Sequence, residues 1–367
     1  MNWRKRLTIL STTMASSKIP GTVRNYCFQR ELNKVSKITQ RGEKMDWMPK
    51  ISLNSLFGIY CDGIFPSILK SSYNGLLKTA IDTRTPIEGK SFTYPKWNGN
   101  FHIWWPWTWK YIQRIHKNGE IISPYEFWKF FGTRNKMGLL NSYNHTGPGA
   151  KKSIERIGKS SKKGIWAIPN FFPDLSKNIY VLVLQFTDVI NQLKLTMGGK
   201  FSKIELAMYC PNRQEDTNKD IDKAMEKSLM FLRLIAPNAK RKGVDIIAKV
   251  GFLHTYDFCQ EAELIGVKAI HAINAVPFSI VYGDSQRSPL QKVGGGAVSG
   301  KIIKKLGNDY FSGLRKKVNL WLIKGGGIMD KDDVTESLDM GADTVTSCTG
   351  PDLFPERWEK ILLEFNT

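Results

Sequence analysis

The chain has 367 residues, 41% hydrophobic and 24% charged, the proportions of an ordinary globular core with room for one large domain and an extension. Its longest apolar run, Ile179-Tyr180-Val181-Leu182-Val183-Leu184, falls far short of the ~20 residues that cross a bilayer, so a cytoplasmic protein without a membrane partner is expected. The net charge of +21 admits polyanion binding, but the lysines and arginines are dispersed instead of interleaved with aromatics in one stripe, and solvated outer helices account for them better than nucleic acid does.

Residues 1–47 are set apart by composition. Arg4, Lys5, Arg6, Lys18, Arg24 and Arg30 precede the first acid, Glu31, among many serines and threonines. A mitochondrial presequence has this make-up, and so does a loosely docked basic tail; composition does not separate the two. Residues 48–367 then read as a second, single domain.

Within it, strands are expected near residues 57–61, 75–79, 165–168, 203–209, 245–249, 268–273, 318–323 and 343–347, with helical stretches between them. This alternation predicts an α/β fold, a (β/α)8 TIM barrel with a basic N-terminal extension. The best helix is expected over 222–236, where Ala224, Leu229, Phe231, Leu232 and Ile235 supply apolar faces before Pro237 ends it. Another starts after Asp330, which can cap residues 331–340. Residues 84–134, with the cluster Trp104-Trp105-Pro106-Trp107, fit the repeat poorly and receive no role.

Five scattered cysteines, Cys27, Cys61, Cys210, Cys259 and Cys348, make neither a disulfide framework nor a CxxC metal motif, and their spacing does not hold an iron–sulfur cluster. No metal is expected. Cys210 differs from the rest by position. It ends the run Lys203-Ile204-Glu205-Leu206-Ala207-Met208-Tyr209, where alternation places Glu205, Ala207 and Tyr209 on one face, and Pro211-Asn212 follow. A barrel assembles its chemistry at that carboxyl end.

Other notable residues fall past predicted strand ends: Gly63 after the first, Lys78 and Thr79 closing the second, Lys249 ending the fifth and Asn274 the sixth. Asn135-Lys136-Met137-Gly138-Leu139-Leu140-Asn141 is read as a loop before a helix that starts at Gly147-Pro148-Gly149. Two glycine runs, Gly294-Gly295-Gly296 leading into Ser299-Gly300-Lys301, and Gly325-Gly326-Gly327, follow the sixth and seventh strands, and Ser347-Cys348-Thr349 follows the eighth. Such loops let backbone amides approach a phosphate closely.

Together these stretches resemble the dihydroorotate dehydrogenase family of flavin-dependent (β/α)8 barrels. Its ELNxSCPN strand end corresponds to Glu205 through Asn212, its NxMGLPN loop to Asn135 through Asn141, its GGxSGK stretch to Gly296 through Lys301, and its GGGI with the later GA and Thr-bearing turn to Gly325 through Thr349. The resemblance implies FMN, with its phosphate on the amides of Ser299, Gly300, Gly326, Gly327, Cys348 and Thr349, and Gly63 and Thr79 nearby. It further implies Lys249 at the N1/O2 side of the ring, Lys78 against flavin or substrate, and Cys210 as the base for dihydroorotate or a related dihydropyrimidine. Asn141, Asn212 and Asn274 would hold the pyrimidine, and a homodimer is implied. Cysteine at this position is similar to the soluble classes of the family, whereas the membrane-bound class carries serine.

Three positions depart from the family pattern: Ala207 replaces an asparagine, Tyr209 a serine, and Ala275 follows Asn274 where Ser or Thr is usual. The Tyr209 ring is expected to fill part of the space vacated at position 207. A tRNA dihydrouridine synthase is the alternative reading, but its His-x-Arg signature is replaced here by Asn274-Ala275-Val276. A flavin-binding barrel with another substrate, or with none, is the other.

Overall fold

The computed structural model describes residues 47–54, 70–100, 110–116, 119–122, 136–208, 221–283 and 287–367. In chain order its parallel staves are β1 (Ile51–Leu53), β2 (Ile87–Glu88), β3 in two halves (Ala167–Ile168 and Asn170–Phe171), β4 (Lys203–Ala207), β5 (Asp245–Val250), β6 (Ala269–Ala272), β7 (Trp321–Lys324) and β8 (Thr344–Ser347). The halves of β3 are the two ends of the hydrogen-bonded sheet, and only Pro169 lies between them. The first half pairs with β2 and the second with β4, so the sheet closes on itself. Proline suits that junction because it has no N–H to leave unpaired, while its carbonyl accepts from Glu205 N at 2.9 Å. The result is the predicted α/β TIM barrel.

Outward residues of the staves, among them Ile204, Leu206, Ile246 and Val250, are buried beneath the helix layer. The helices Ile179–Met197 and Ile221–Arg241 supply Phe186 and Phe231, whose rings meet edge to face at 5.8 Å. Each such ring contributes roughly 1.5–3 kcal/mol by leaving water. Caps fix where helices begin: Asn178 accepts from Tyr180 N, Thr255 from Phe258 N, and Asp330 from Asp333 N, the last opening Lys331–Asp339 as its sequence predicts.

Elsewhere the local sequence misleads. Residues 75–79 are not a strand but part of the helix Lys70–Asp82, because Tyr73, Leu76, Leu77 and Ala80 pack at helical spacing; the second stave is Ile87–Glu88. The strand expected at 57–61 lies outside the described residues, and the first stave is Ile51–Leu53. Pro237 does not end its helix, which runs on to Arg241: Ala239 is buried there, and Asn238 Nδ2 reaches Thr187 Oγ1 at 3.2 Å. The stretch Lys136–Asn141, read as a loop, is a strand at the centre of a second, antiparallel sheet ordered Val276–Pro277, Ala297–Gly300, Lys136–Asn141, Ile112–His116, Ile121–Ile122. That sheet takes up part of residues 84–134, the region the strand–helix repeat did not explain; the tryptophan cluster lies outside the described residues. Among the described residues no helix is long and apolar enough to cross a membrane.

Candidate active site

A cavity of about 180 Å³ lies between the carboxyl ends of the staves and the antiparallel sheet. Asn54, Lys90, Asn274 and the run Gly325–Gly327 line it from the barrel, just past β1, β2, β6 and β7; Asn141 and Ser299 line it from the sheet above. Register explains the roof: Asn141 pairs with Ala297 and Leu139 with Ser299, so one pair of antiparallel strands delivers both the amide and the hydroxyl.

Backbone conformation makes one wall accessible to a ligand. Gly300, Gly326 and Gly327 have φ of +95°, +78° and +87°, in the left-handed region that glycine alone adopts easily. Added Cβ atoms would stand 2.5 Å from Gly138 Cα, 2.9 Å from Ile273 Cγ1 and 2.4 Å from Lys304 Cα respectively. Bare backbone in a concave wall exposes amides at close range, the arrangement that cradles a phosphate. Thr349 Oγ1 bonds Ser299 Oγ at 2.9 Å, tying the end of β8 to the roof, and Ser347 Oγ holds the Ile328 carbonyl at 2.7 Å.

The floor is polar where a barrel interior is ordinarily filled by Val, Ile and Leu. Ser52, Glu88, Asn170, Glu205, Lys249 and His271 converge on the axis, every one buried. Ser52 Oγ donates to Glu88 Oε1 at 2.9 Å, and Lys249 Nζ to Asn54 Oδ1 at 3.0 Å and Glu205 Oε1 at 3.1 Å. Asn170 Nδ2 donates to the same Glu205 oxygen at 2.5 Å, while His271 Nδ1 lies 2.6 Å from Glu205 Oε2 and 3.3 Å from Glu88 Oε2. Burial alone would push the Glu205 carboxyl up, but Lys249 and then His271 outweigh it and hold the group well below the usual carboxylate range. Although Glu88, Glu205 and His271 offer ligand atoms within 4.8 Å of one another, both Glu205 oxygens are already engaged by Lys249, Asn170 and His271. The cluster is an internally compensated ion network.

The residues singled out in the sequence divide into three groups. Asn141, Asn274, Ser299, Gly300, Gly326, Gly327, Cys348 and Thr349 all line the one cavity, and Lys249 reaches its edge through Asn54. Gly63, Tyr209, Cys210 and Asn212 lie outside the described residues. Lys78 and Thr79 are corrected: both sit in the helix Lys70–Asp82, where the exposed Lys78 pairs with Asp82 at 2.6 Å and the Thr79 carbonyl accepts from Thr83. The lysine that follows the true second stave is Lys90. Its Nζ donates to the Thr146 carbonyl at 2.6 Å and lies 5.5 Å from the centre of the Tyr143 ring.

Sequence reasoning also passed over His145, His271 and Phe172. The Phe172 ring packs on Ala207 and stacks on His145 with centroids 3.8 Å apart, so it occupies space beside the alanine that replaces the family's asparagine. The signal for Lys90 was present in Gly89-Lys90-Ser91 directly after Ile87-Glu88, had the strand been placed correctly.

None of the curated proteins compared with this chain matches it. The family model described as dihydroorotate dehydrogenase matches residues 131–359, more than half of the chain and most of the staves, glycine runs and roof strands that build the cavity. On the match and the barrel together, the chain belongs to the dihydroorotate dehydrogenase family of flavin-dependent oxidoreductases.

Proposed function

We propose that the protein oxidises dihydroorotate to orotate, a step of pyrimidine biosynthesis, with FMN as its cofactor. One observation carries the reading: in a chain of this family, both glycine-lined segments and the amides of Asn141 and Asn274 open on the same cavity. Left-handed glycines in that wall, and the buried Nε2 of His271 and Oγ1 of Thr346 at its floor, which have no hydrogen-bond partner among the described residues, fit a bound group that is planar, polar and phosphorylated.

When bound, the flavin would supply the acceptor for the hydride that leaves C6 of the substrate. The chain's own part begins with Cys210, which takes the proton from C5 as the C5–C6 double bond forms, so the substrate loses one hydride and one proton. A thiol of ordinary pKa near 8.5 does this better as pH rises toward that value. Amides of Ser299, Gly300, Gly326, Gly327, Cys348 and Thr349 hold the cofactor's phosphate. Lys249, buried and fixed by Asn54 and Glu205, supplies positive charge at the pocket's edge, where a preorganised cation stabilises developing negative charge. Asn141, Asn274 and Asn212 present amides able to match both the carbonyl and the N–H edges of the pyrimidine. Phe172, packed on Ala207, backs the His145 ring that lines the pocket.

The test is anaerobic single turnover of the FMN-loaded protein and of its Cys210→Ala and Tyr209→Ser variants with dihydroorotate. Orotate formation by wild type and its loss in Cys210→Ala, with flavin still bound, is the expected result. No orotate from wild type or from Tyr209→Ser would remove the assigned substrate.

A further inference from the structure

His271 has one nitrogen committed and one open. Its Nδ1 faces two carboxylates, Glu205 at 2.6 Å and Glu88 at 3.3 Å. Its Nε2 is buried and has no hydrogen-bond partner among the described residues, and the residue lines the cavity. A Cβ on Gly325 would stand 2.8 Å from that nitrogen, so Nε2 abuts the start of the glycine run. The imidazole therefore spans from the ion network to the ligand space.

Charge counting decides its protonation. The ionisable groups packed around the ring are Glu88 from β2, Glu205 from β4 and Lys249 from β5. With a neutral imidazole the set carries two formal negative charges against one positive, buried with little solvent to absorb the excess. With an imidazolium it is neutral. Burial and Lys249 both oppose that charge, but Glu205 and Glu88 together outweigh them and raise the pKa of His271.

We propose that His271 is held as an imidazolium whose Nε2–H faces the cavity as a fixed cationic donor, a second positive group beside Lys249 that makes the bound flavin easier to reduce. This rests on the flavin assignment proposed above. The geometry gives the network a direction: both carboxylates lie on the Nδ1 side and the open N–H on the ligand side. A flavin ring gathers negative charge when it takes electrons, and a donor already oriented needs no rearrangement to meet it.

Two measurements test the inference. In ¹⁵N-histidine NMR of the flavin-loaded protein, the His271 signals, assigned by their loss in His271→Gln, are expected to show both ring nitrogens protonated at pH 7.5; a neutral tautomer there overturns the proposal. In His271→Gln with flavin bound, the two-electron reduction equilibrium is expected to shift tenfold or more against reduction, a drop of about 30 mV. An unchanged potential with flavin retained overturns the role of His271 alone. Failure of the wild-type protein to bind flavin overturns it together with the cofactor assignment.

Discussion

Replacing Lys324 by methionine should stabilise the protein at neutral pH. Lys324 ends β7 on the outward side, one residue beyond Ile323, which pairs with the inward His271. It is fully buried, and its Nζ has no hydrogen-bond partner among the described residues; Asp333 acts on it only through space. Burial lowers its pKa from 10.5 to about 8. That gap of roughly 2.5 units corresponds to about 3 kcal/mol of stability forgone while the lysine must be charged in the unfolded chain, an upper bound because local relaxation offsets part of it. Methionine keeps most of the volume without the amine, so a gain of about 1–3 kcal/mol, or roughly 2–6 °C in Tm, is expected at pH 7. Between about pH 8 and 10.4 the unfolded chain binds more protons than the folded one, so wild-type stability rises and the variant's advantage shrinks to nothing. Thermal unfolding followed by circular dichroism at pH 7, 8.5 and 10 reads this directly. Destabilisation at pH 7, or a gain that stays constant with pH, would refute the reasoning.

Three further outcomes are expected. Glu205→Gln leaves Glu88 as the one carboxylate against the Lys249 and His271 cations, a buried positive charge in excess, and should cost about 3–5 kcal/mol, lowering Tm by roughly 6–10 °C, while adding Lys249→Met should recover much of the loss; a Tm within 1 °C of wild type for the single variant argues against the network. Because Glu205 is held below its unfolded pKa, its contribution is present above about pH 4.3 and disappears as pH falls through the lower folded value, so acid titration of Tm should show a steeper loss in wild type than in Glu205→Gln. Gly326→Ala forces a side chain onto φ +78° with its Cβ 2.9 Å from Ile273 Cγ1, and should weaken FMN binding at least tenfold with the circular dichroism unchanged; an unaltered Kd would mean the run does not form the cradle.

Much of the barrel was legible because its staves from β3 onward are apolar runs bounded by turns and followed by amphipathic helices. The first two staves were not. β2 is only Ile87–Glu88, too short to show a period, whereas Leu76-Leu77 in a neighbouring helix looks strand-like in isolation. That single misplacement put Lys78 at the site in place of Lys90. The roof was missed because Lys136–Asn141 carries only three apolar residues, Met137, Leu139 and Leu140, interrupted by Gly138, and its strand state depends on pairing with Ile112–His116 and Ala297–Gly300, far away in the chain. The glycine runs were readable, since their conformation is set locally. Convergence of Glu88, Glu205, Lys249 and His271 was not, because each sits on a different stave and nothing in one strand announces the charge on another.

The central claim is that the cavity binds FMN and delivers dihydroorotate to it. The most direct measurement is the visible spectrum of the FMN-reconstituted, desalted protein, followed by anaerobic addition of dihydroorotate. Flavin retained stoichiometrically and bleached by that substrate, with orotate released, is the predicted result. A colourless protein after desalting, or a flavin that stays oxidised in excess dihydroorotate, would contradict the account.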